Sequence, residues 1–276
     1  MIKNCSLTNN TGFESLFDIS MGRMSIINVI VKDNFNNIFA FSDSTSKFES
    51  VFIKNHKCVY KLSGCFLSAN TNSKIQLNKV YSNELYSENS FGNIYSENSS
   101  LFIDNSAFSH LNSFRGKGSC IFQISSNLNI SNSFFDYFFL NCLISTNSYF
   151  SVNNSFFDAY SPQSFDSINV INFGIIYLED NLLIEISNSK LICSKNARYG
   201  GALYIFSSRN LNFIFENLIS NNSFIFNEVL EEGGSVFVYD SEISIVNNIF
   251  AKNRAKNGGG GVFLSNVGLN LFIFKS

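Results

Sequence analysis

Along this chain, apolar and polar residues alternate in short runs. Leu101-Phe102-Ile103, Leu128-Asn129-Ile130, Phe150-Ser151-Val152, Ile184-Glu185-Ile186 and Ile243-Ser244-Ile245 each place two apolar side chains on one face. A period of 2 is a strand signal. After each run comes an Asn, and three residues later a large apolar residue. The phrase aliphatic-x-Asn-x-x-apolar occurs at Ile2/Asn4/Leu7, Ile26/Asn28/Val31, Ile53/Asn55/Cys58, Ile103/Asn105/Phe108, Ile130/Asn132/Phe135 and Val152/Asn154/Phe157. It returns at Ile186/Asn188/Leu191, Ile219/Asn221/Phe224 and Ile245/Asn247/Phe250, with a weaker copy at Asn78-x-x-Tyr81 preceded by Gln76. Repeats at steps of roughly 22–34 residues are the mark of a solenoid.

Further short apolar runs precede the phrase, at Cys120–Ile124, Ala202–Ile205, Val236–Val238 and Val262–Leu264. Two or three strands per repeat leave no room for a helix, so the layout fits a parallel β-helix better than a leucine-rich horseshoe or βαβ units. The expectation is an all-β fold: a right-handed single-stranded parallel β-helix solenoid of about ten coils, spanning 1–276 as a single domain. Coils stack at ~4.8 Å, so one phrase position forms a column. The expected inward column is Leu7, Val31, Cys58, Tyr81, Phe108, Phe135, Phe157, Leu191, Phe224 and Phe250. The Asn takes the left-handed turn between strands and is expected to bond the same Asn one coil away. The two longest steps place insertions near 160–170 and 207–217.

Composition supports this and narrows the partners. Asn and Ser compete with helical backbone, and the chain holds 41 and 44 of them. Charged residues are 14% and the net charge is −2, which gives no electrostatic basis for a nucleic-acid partner. No run of about 18 apolar residues encodes a transmembrane helix. The N-terminal residues lack the apolar core of a signal peptide. Both ends read as apolar strand without a polar cap. The chain is therefore expected to be a fragment of a longer solenoid, able to self-associate through uncapped ends.

In the C-terminal third, Gly pairs follow the anchor Asn at a distance of about twelve residues: Gly200-Gly201, Gly233-Gly234 and Gly258-Gly259-Gly260-Gly261. With Phe224-x-x-Asn227 and Phe250-x-x-Asn253, they resemble the F-x-x-N and G-G-A-[ILV] repeats of polymorphic-outer-membrane-protein-like sequences of bacteria and protists. Those belong to the right-handed β-helix (pectin-lyase-like) superfamily. The resemblance covers roughly 180–265; before that only the Asn phrase persists. It implies the fold and an extracellular or cell-surface location, not a mechanism.

Candidate chemistry is sparse. Asp136 and Asp158 occupy the same place in Asn-Ser-Phe-Phe-Asp phrases and are weak candidates for a metal or acid/base pair. The bland reading is a pair of surface carboxylates. The Asp-Asp, Gly-His-Gly and Arg-Ile-Lys motifs of polysaccharide-cleaving β-helices are missing, so no catalytic residue is assigned. Phe134 and Phe156 are expected to point outward, where they could stack on a sugar or cover a neighbouring turn. Cys120 and Cys142 both stand twelve residues before an anchor Asn and should stack; the spacing permits a disulfide, and a buried thiol ladder is the alternative. Cys5, Cys58, Cys65 and Cys193 show no metal-ligand spacing. The four glycines at 258–261 lack the Lys-Ser or Lys-Thr of a phosphate loop, and no cofactor is implied. The expected role is a non-enzymatic structural or adhesin-like surface segment that binds carbohydrate or another surface protein. The alternative is a diverged polysaccharide lyase or hydrolase.

Overall fold

The computed structural model describes residues 1–58, 65–87, 92–113, 120–136, 141–159, 171–195, 197–208 and 217–267. All regular structure among them is β-strand, and the strands pair in parallel. This is the arrangement of a β-solenoid. The contacts divide the chain into two compact units, residues 1–143 and 144–276.

In the first unit, one row of strands runs through Ile2–Thr8, Arg23–Lys32, Thr45–Cys58, Lys74–Ser87, Ser100–Asp104 and Asn127–Ser131, each paired with the next. A second row joins Phe35–Ser42, Leu67–Asn70, Ile94–Glu97 and Ile121–Ile124. In the second unit each coil has four arms. The first-arm row is Ile176–Glu179, Leu203–Phe206, Val236–Tyr239 and Val262–Ser265. The second is Tyr149–Asn153, Leu183–Ser187, Leu218–Ser220 and Ser244–Val246. The third is Phe156–Asp158, Lys190–Ile192, Ser223–Ile225 and Ile249–Ala251. The fourth is Ile171–Phe173, Ala197–Tyr199, Glu228–Glu232 and Arg254–Ala255.

The arms meet at left-handed corners. All nine Asn of the unbroken phrase have φ between +46° and +55°. A non-glycine residue there costs ~1–3 kcal/mol, and Asn is among the residues that tolerate it best. Five residues after several of them lies another left-handed corner, at Asn9, Asp33 and His110 in the first unit and at Cys193, Phe226 and Lys252 in the second, and Glu84 follows the left-handed Lys79 by the same step. A further one precedes the anchor, at Asp43, Asn98, Ser125, Asn147 and Asp240. In the second unit Gly200, Gly233 and Gly259 close the coil with φ of 52°, 67° and 61°. A Cβ on Gly200 would stand 2.3 Å from the Leu203 carbonyl oxygen, so the Gly pair serves a corner that no side chain can enter.

Apolar side chains fill the interior in columns. Ile26, Phe48, Leu77, Ile103 and Ile130 form one in the first unit, all buried. Phe108 and Phe135 stack at 5.2 Å, and in the second unit Phe224 and Phe250 stack at 5.0 Å. Each fully buried side chain of this size contributes about 1.5–3 kcal/mol.

The expected inward column needs two corrections, both in the first unit. Val31 pairs with Ile53, not with Cys58 five residues further along the same strand, and Ile53 pairs with Ser82, not Tyr81. Tyr81 points outward, 41% exposed, and stacks on outward Phe52 at 5.2 Å. The cause lies at the corners. Ser50 and Lys79, at φ 54° and 53°, occupy the turn there in place of Asn. Asn55 belongs to the next corner, and Asn78 is the last strand residue before Lys79. The insertion expected at 160–170 and the apolar strand at 269–276 lie outside the described residues, as does most of the one at 207–217.

Phe135→Ala is expected to destabilise by ~3–5 kcal/mol, as large-to-small changes in packed cores do. Phe134→Ala should cost clearly less, because Phe134 is 38% exposed. Equal losses in urea titrations would show that the assigned faces of this arm are wrong.

Candidate functional site: corners and outward columns

The residue after a left-handed corner turns into the interior. In most coils it is Ser or Asn, and it is buried: Ser44, Ser73, Ser99, Ser126, Ser106 and Ser133 in the first unit, Ser189, Asn222 and Asn248 among those in the second. The strand ladder is broken at a corner, so a backbone N–H there needs another acceptor. The inward side chain supplies it. Ser99 N–H donates to Ser126 Oγ at 3.2 Å, Ser106 N–H to Ser133 Oγ at 3.2 Å and Val80 N–H to Ser106 Oγ at 3.1 Å. Each hydroxyl in turn donates to a carbonyl of its own coil, as Ser126 Oγ does to Ile124 O at 2.8 Å.

In the second unit Asn does the same with a longer reach. Ser189 N–H donates to Asn222 Oδ1 and Asn222 N–H to Asn248 Oδ1, both at 2.8 Å. Asn222 Nδ2 donates to Ile186 O at 2.8 Å. Asn227 and Asn253, the Asn of the two Phe-x-x-Asn segments, serve the next corner: Asn227 N–H donates to Asn253 Oδ1 at 3.0 Å. The polar residue that matters to the interior is therefore the neighbour of the anchor Asn. Asn28 does donate to Asn4 Oδ1 at 3.2 Å, as expected of stacked anchors, but that bond is exposed. Elsewhere the anchor finds acids or other amides: Asn132 Nδ2 donates to Asp104 Oδ1 and Asn188 Nδ2 to Asn153 Oδ1.

Outward side chains form columns too. In the first unit Ile30, Phe52, Tyr81, Ala107 and Phe134 succeed one another on the same arm. Ile30, Phe52, Tyr81 and Phe134 are 38–53% exposed and together form an apolar stripe. In the second unit Tyr177, Tyr204, Phe237 and Phe263 stack at 5.0–5.4 Å with nearly parallel rings. Phe206 and Tyr239 stack beside them at 5.6 Å, and Tyr199 leans on Phe237 at 5.2 Å. Burial pushes the Tyr177 hydroxyl up, and its bond to Glu179 adds to that. Because neighbouring rings cover each other, these columns present ring edges and hydroxyls outward rather than open faces.

The candidates read from sequence fall as follows. Phe134 belongs to the first unit's stripe. Phe156 is partly buried in the second unit, with Lys190 Nζ 5.5 Å above its ring. Asp136 ends a strand of the first unit and Asp158 one of the second. Among the described residues no three His, Cys, Asp or Glu side chains gather closely enough to hold a metal ion. His56 is buried, its Nε2 3.0 Å from Cys65 O. His110 sits on a corner beside Ser109 Oγ. Cys120 and Cys142 stack as expected, both buried and both thiols. Cys58 and Cys65 form a disulfide. Nothing in the repeat pointed to it, because it joins cysteines seven positions apart in the sequence rather than two copies of one position.

Charges sit apart on the surface. Lys47 and Glu49 pair at 3.0 Å, and Lys32 and Asp33 at 3.4 Å. The Asp104 carboxyl is held below the usual range by hydrogen bonds from Ser131 and then Asn132. No protein-family model matches the chain, and no curated protein matches it.

A depressed folded-state pKa contributes stability that is present above the ordinary carboxylate value and lost as pH falls through the folded one. Asp104, Asp33 and Glu49 are all depressed. The urea midpoint is therefore expected to hold above pH ~5 and to fall below pH ~4. Asp104→Asn should reduce that fall slightly. A midpoint that rises on acidification would contradict the hydrogen bonds assigned to these carboxylates.

Proposed function

We propose that this chain is a non-enzymatic, right-handed β-helical repeat segment of the pectin-lyase-like kind, with about ten coils, acting as a structural or adhesin-like element at a cell surface. The observation that carries the reading is how the surface is used. Its continuous features are columns of like side chains repeated coil after coil, such as the Ile30, Phe52, Tyr81, Ala107 and Phe134 stripe. Such columns suit binding along an extended partner, a carbohydrate chain or another surface protein. Catalysis on a polymer calls instead for several acids, or acids with Arg or Lys, converging on one bond. Asp104 and Asp33 instead serve separate corners, where they accept hydrogen bonds from Asn132 and Asn55, and Glu49 is paired with Lys47.

The second reading, a diverged polysaccharide lyase or hydrolase, rests on Asp136 and Asp158 and on the resemblance alone. Incubation of the protein with pectin, alginate and other uronate polymers separates the two. The binding reading expects no new reducing ends and no unsaturated product, together with retention of the protein on an immobilised surface glycan or surface protein. That retention should weaken at least several-fold in Phe52→Ser and Tyr81→Ser. Product release that disappears in the Asp136→Asn, Asp158→Asn double variant would establish the enzymatic reading instead.

A further inference from the structure

We propose that Cys120 and Cys142 are a site of disulfide formation between successive coils, a covalent staple that closes when the chain folds in the presence of a disulfide oxidant. The inference is independent of the adhesive reading.

The geometry is that of a column. Phe66 N–H donates to Asn93 O at 2.7 Å, Asn93 N–H to Cys120 O at 3.0 Å and Cys120 N–H to Cys142 O at 3.1 Å. These four residues thus hold one position in four coils of the first unit, and all four side chains are fully buried. Only the last two positions carry sulfur. Neighbouring strands lie ~4.8 Å apart, within the ~4.4–6.8 Å between α-carbons that a disulfide requires. The same unit closes Cys58 onto Cys65 at a Cα separation of 5.6 Å, so its folded form accommodates a disulfide elsewhere. Cys5 is exposed, and among the free cysteines of this unit only Cys120 and Cys142 hold the same position in successive coils.

Burial raises the Cys142 thiol well above the usual range, with Cys120 and Asp136 adding to the effect. A thiol so placed reacts slowly once the coils have closed. The bond therefore forms during folding, while the thiols still meet solvent. With glutathione disulfide as oxidant, one cysteine thiolate attacks its S–S bond and releases one glutathione thiolate. The second cysteine thiolate then displaces the other glutathione. Two S–H bonds are lost and one protein S–S bond forms. The two electrons and two protons leave in two molecules of reduced glutathione. Once shut inside the core, the bond is shielded from reductants for the same reason that the thiols were shielded from oxidants.

The test refolds the reduced, unfolded 276-residue chain in a buffer of oxidised and reduced glutathione. The sample is quenched in acid, alkylated while denatured and mapped by peptide mass spectrometry. The expected result is a peptide pair that joins Cys120 to Cys142, two hydrogens lighter than the separate peptides, with Cys5 and Cys193 alkylated. In Cys142→Ser, Cys120 should be alkylated, and the melting temperature should lie roughly 5–10 °C below that of the stapled chain. Alkylation of both Cys120 and Cys142 in molecules whose Cys58–Cys65 bond is closed would overturn the proposal. So would Cys120 joined to any other cysteine. Chain produced in an oxidising folding compartment, mapped in the same way, should show the same Cys120–Cys142 pair without a refolding step.

Discussion

The hydrogen bond from a backbone N–H at a coil corner to the Ser or Asn side chain one coil away is the contact on which the rest of this structure depends. A coil must turn several times within about two dozen residues, and each turn takes a residue into the left-handed region. At the next residue the strand ladder is interrupted, and its N–H faces an interior filled by Phe, Ile, Leu and Val. A buried, unsatisfied N–H costs ~1–3 kcal/mol, and the turn recurs in coil after coil. Ser99 with Ser126, Ser106 with Ser133 and Asn222 with Asn248 remove that cost at one corner after another. Stacked Phe108 and Phe135 can then fill a core that would otherwise hold frayed backbone. The high Ser and Asn content and the sparse charge follow from the same demand. A buried charge at a corner would need a partner, whereas a hydroxyl or an amide both donates and accepts.

Much of this was legible in the sequence, and the misreadings have a common cause. The anchor Asn announced the left-handed turn because few residues tolerate it, and all nine unbroken copies adopt it. The alternation before the Asn gave the arms, and the Gly pairs gave the tight corner at Gly200, Gly233 and Gly259. The register failed at Ser50 and Lys79, where other residues take the turn and the nearest Asn lies elsewhere in the coil. A one-residue slip there exchanged outward Tyr81 for inward Ser82. The inward Ser and Asn were in plain view, next to six of the nine anchors, yet the pattern gave no sign that they face inward. Apolar periodicity cannot distinguish a polar residue that faces solvent from one that faces an orphaned N–H. The Cys58–Cys65 bond escaped because it obeys no repeat.

The same repetition limits what the surface can offer. Stacked outward rings such as Tyr177, Tyr204 and Phe237 cover one another's faces, so they stiffen the wall before they bind anything. Surface charges are used locally, in pairs such as Lys47 with Glu49 or in bonds to corner amides. What remains distinctive within each unit is regularity: on the proposed reading, a partner would meet one position of several successive coils rather than one assembled pocket. That is why the outward columns, and not a cleft, carry the functional reading.

The central claim is that inward Ser and Asn complete the backbone hydrogen bonding at the corners. Native-state hydrogen exchange resolved to single amides tests it most directly. The account predicts that the amides of Ser99, Ser106, Ser189 and Asn222, which donate to side chains one coil away, exchange as slowly as strand amides such as those of Leu101, Ile103 and Ile186 in their own units. Corner amides that exchange near the free-peptide rate while those strand amides stay protected would contradict it.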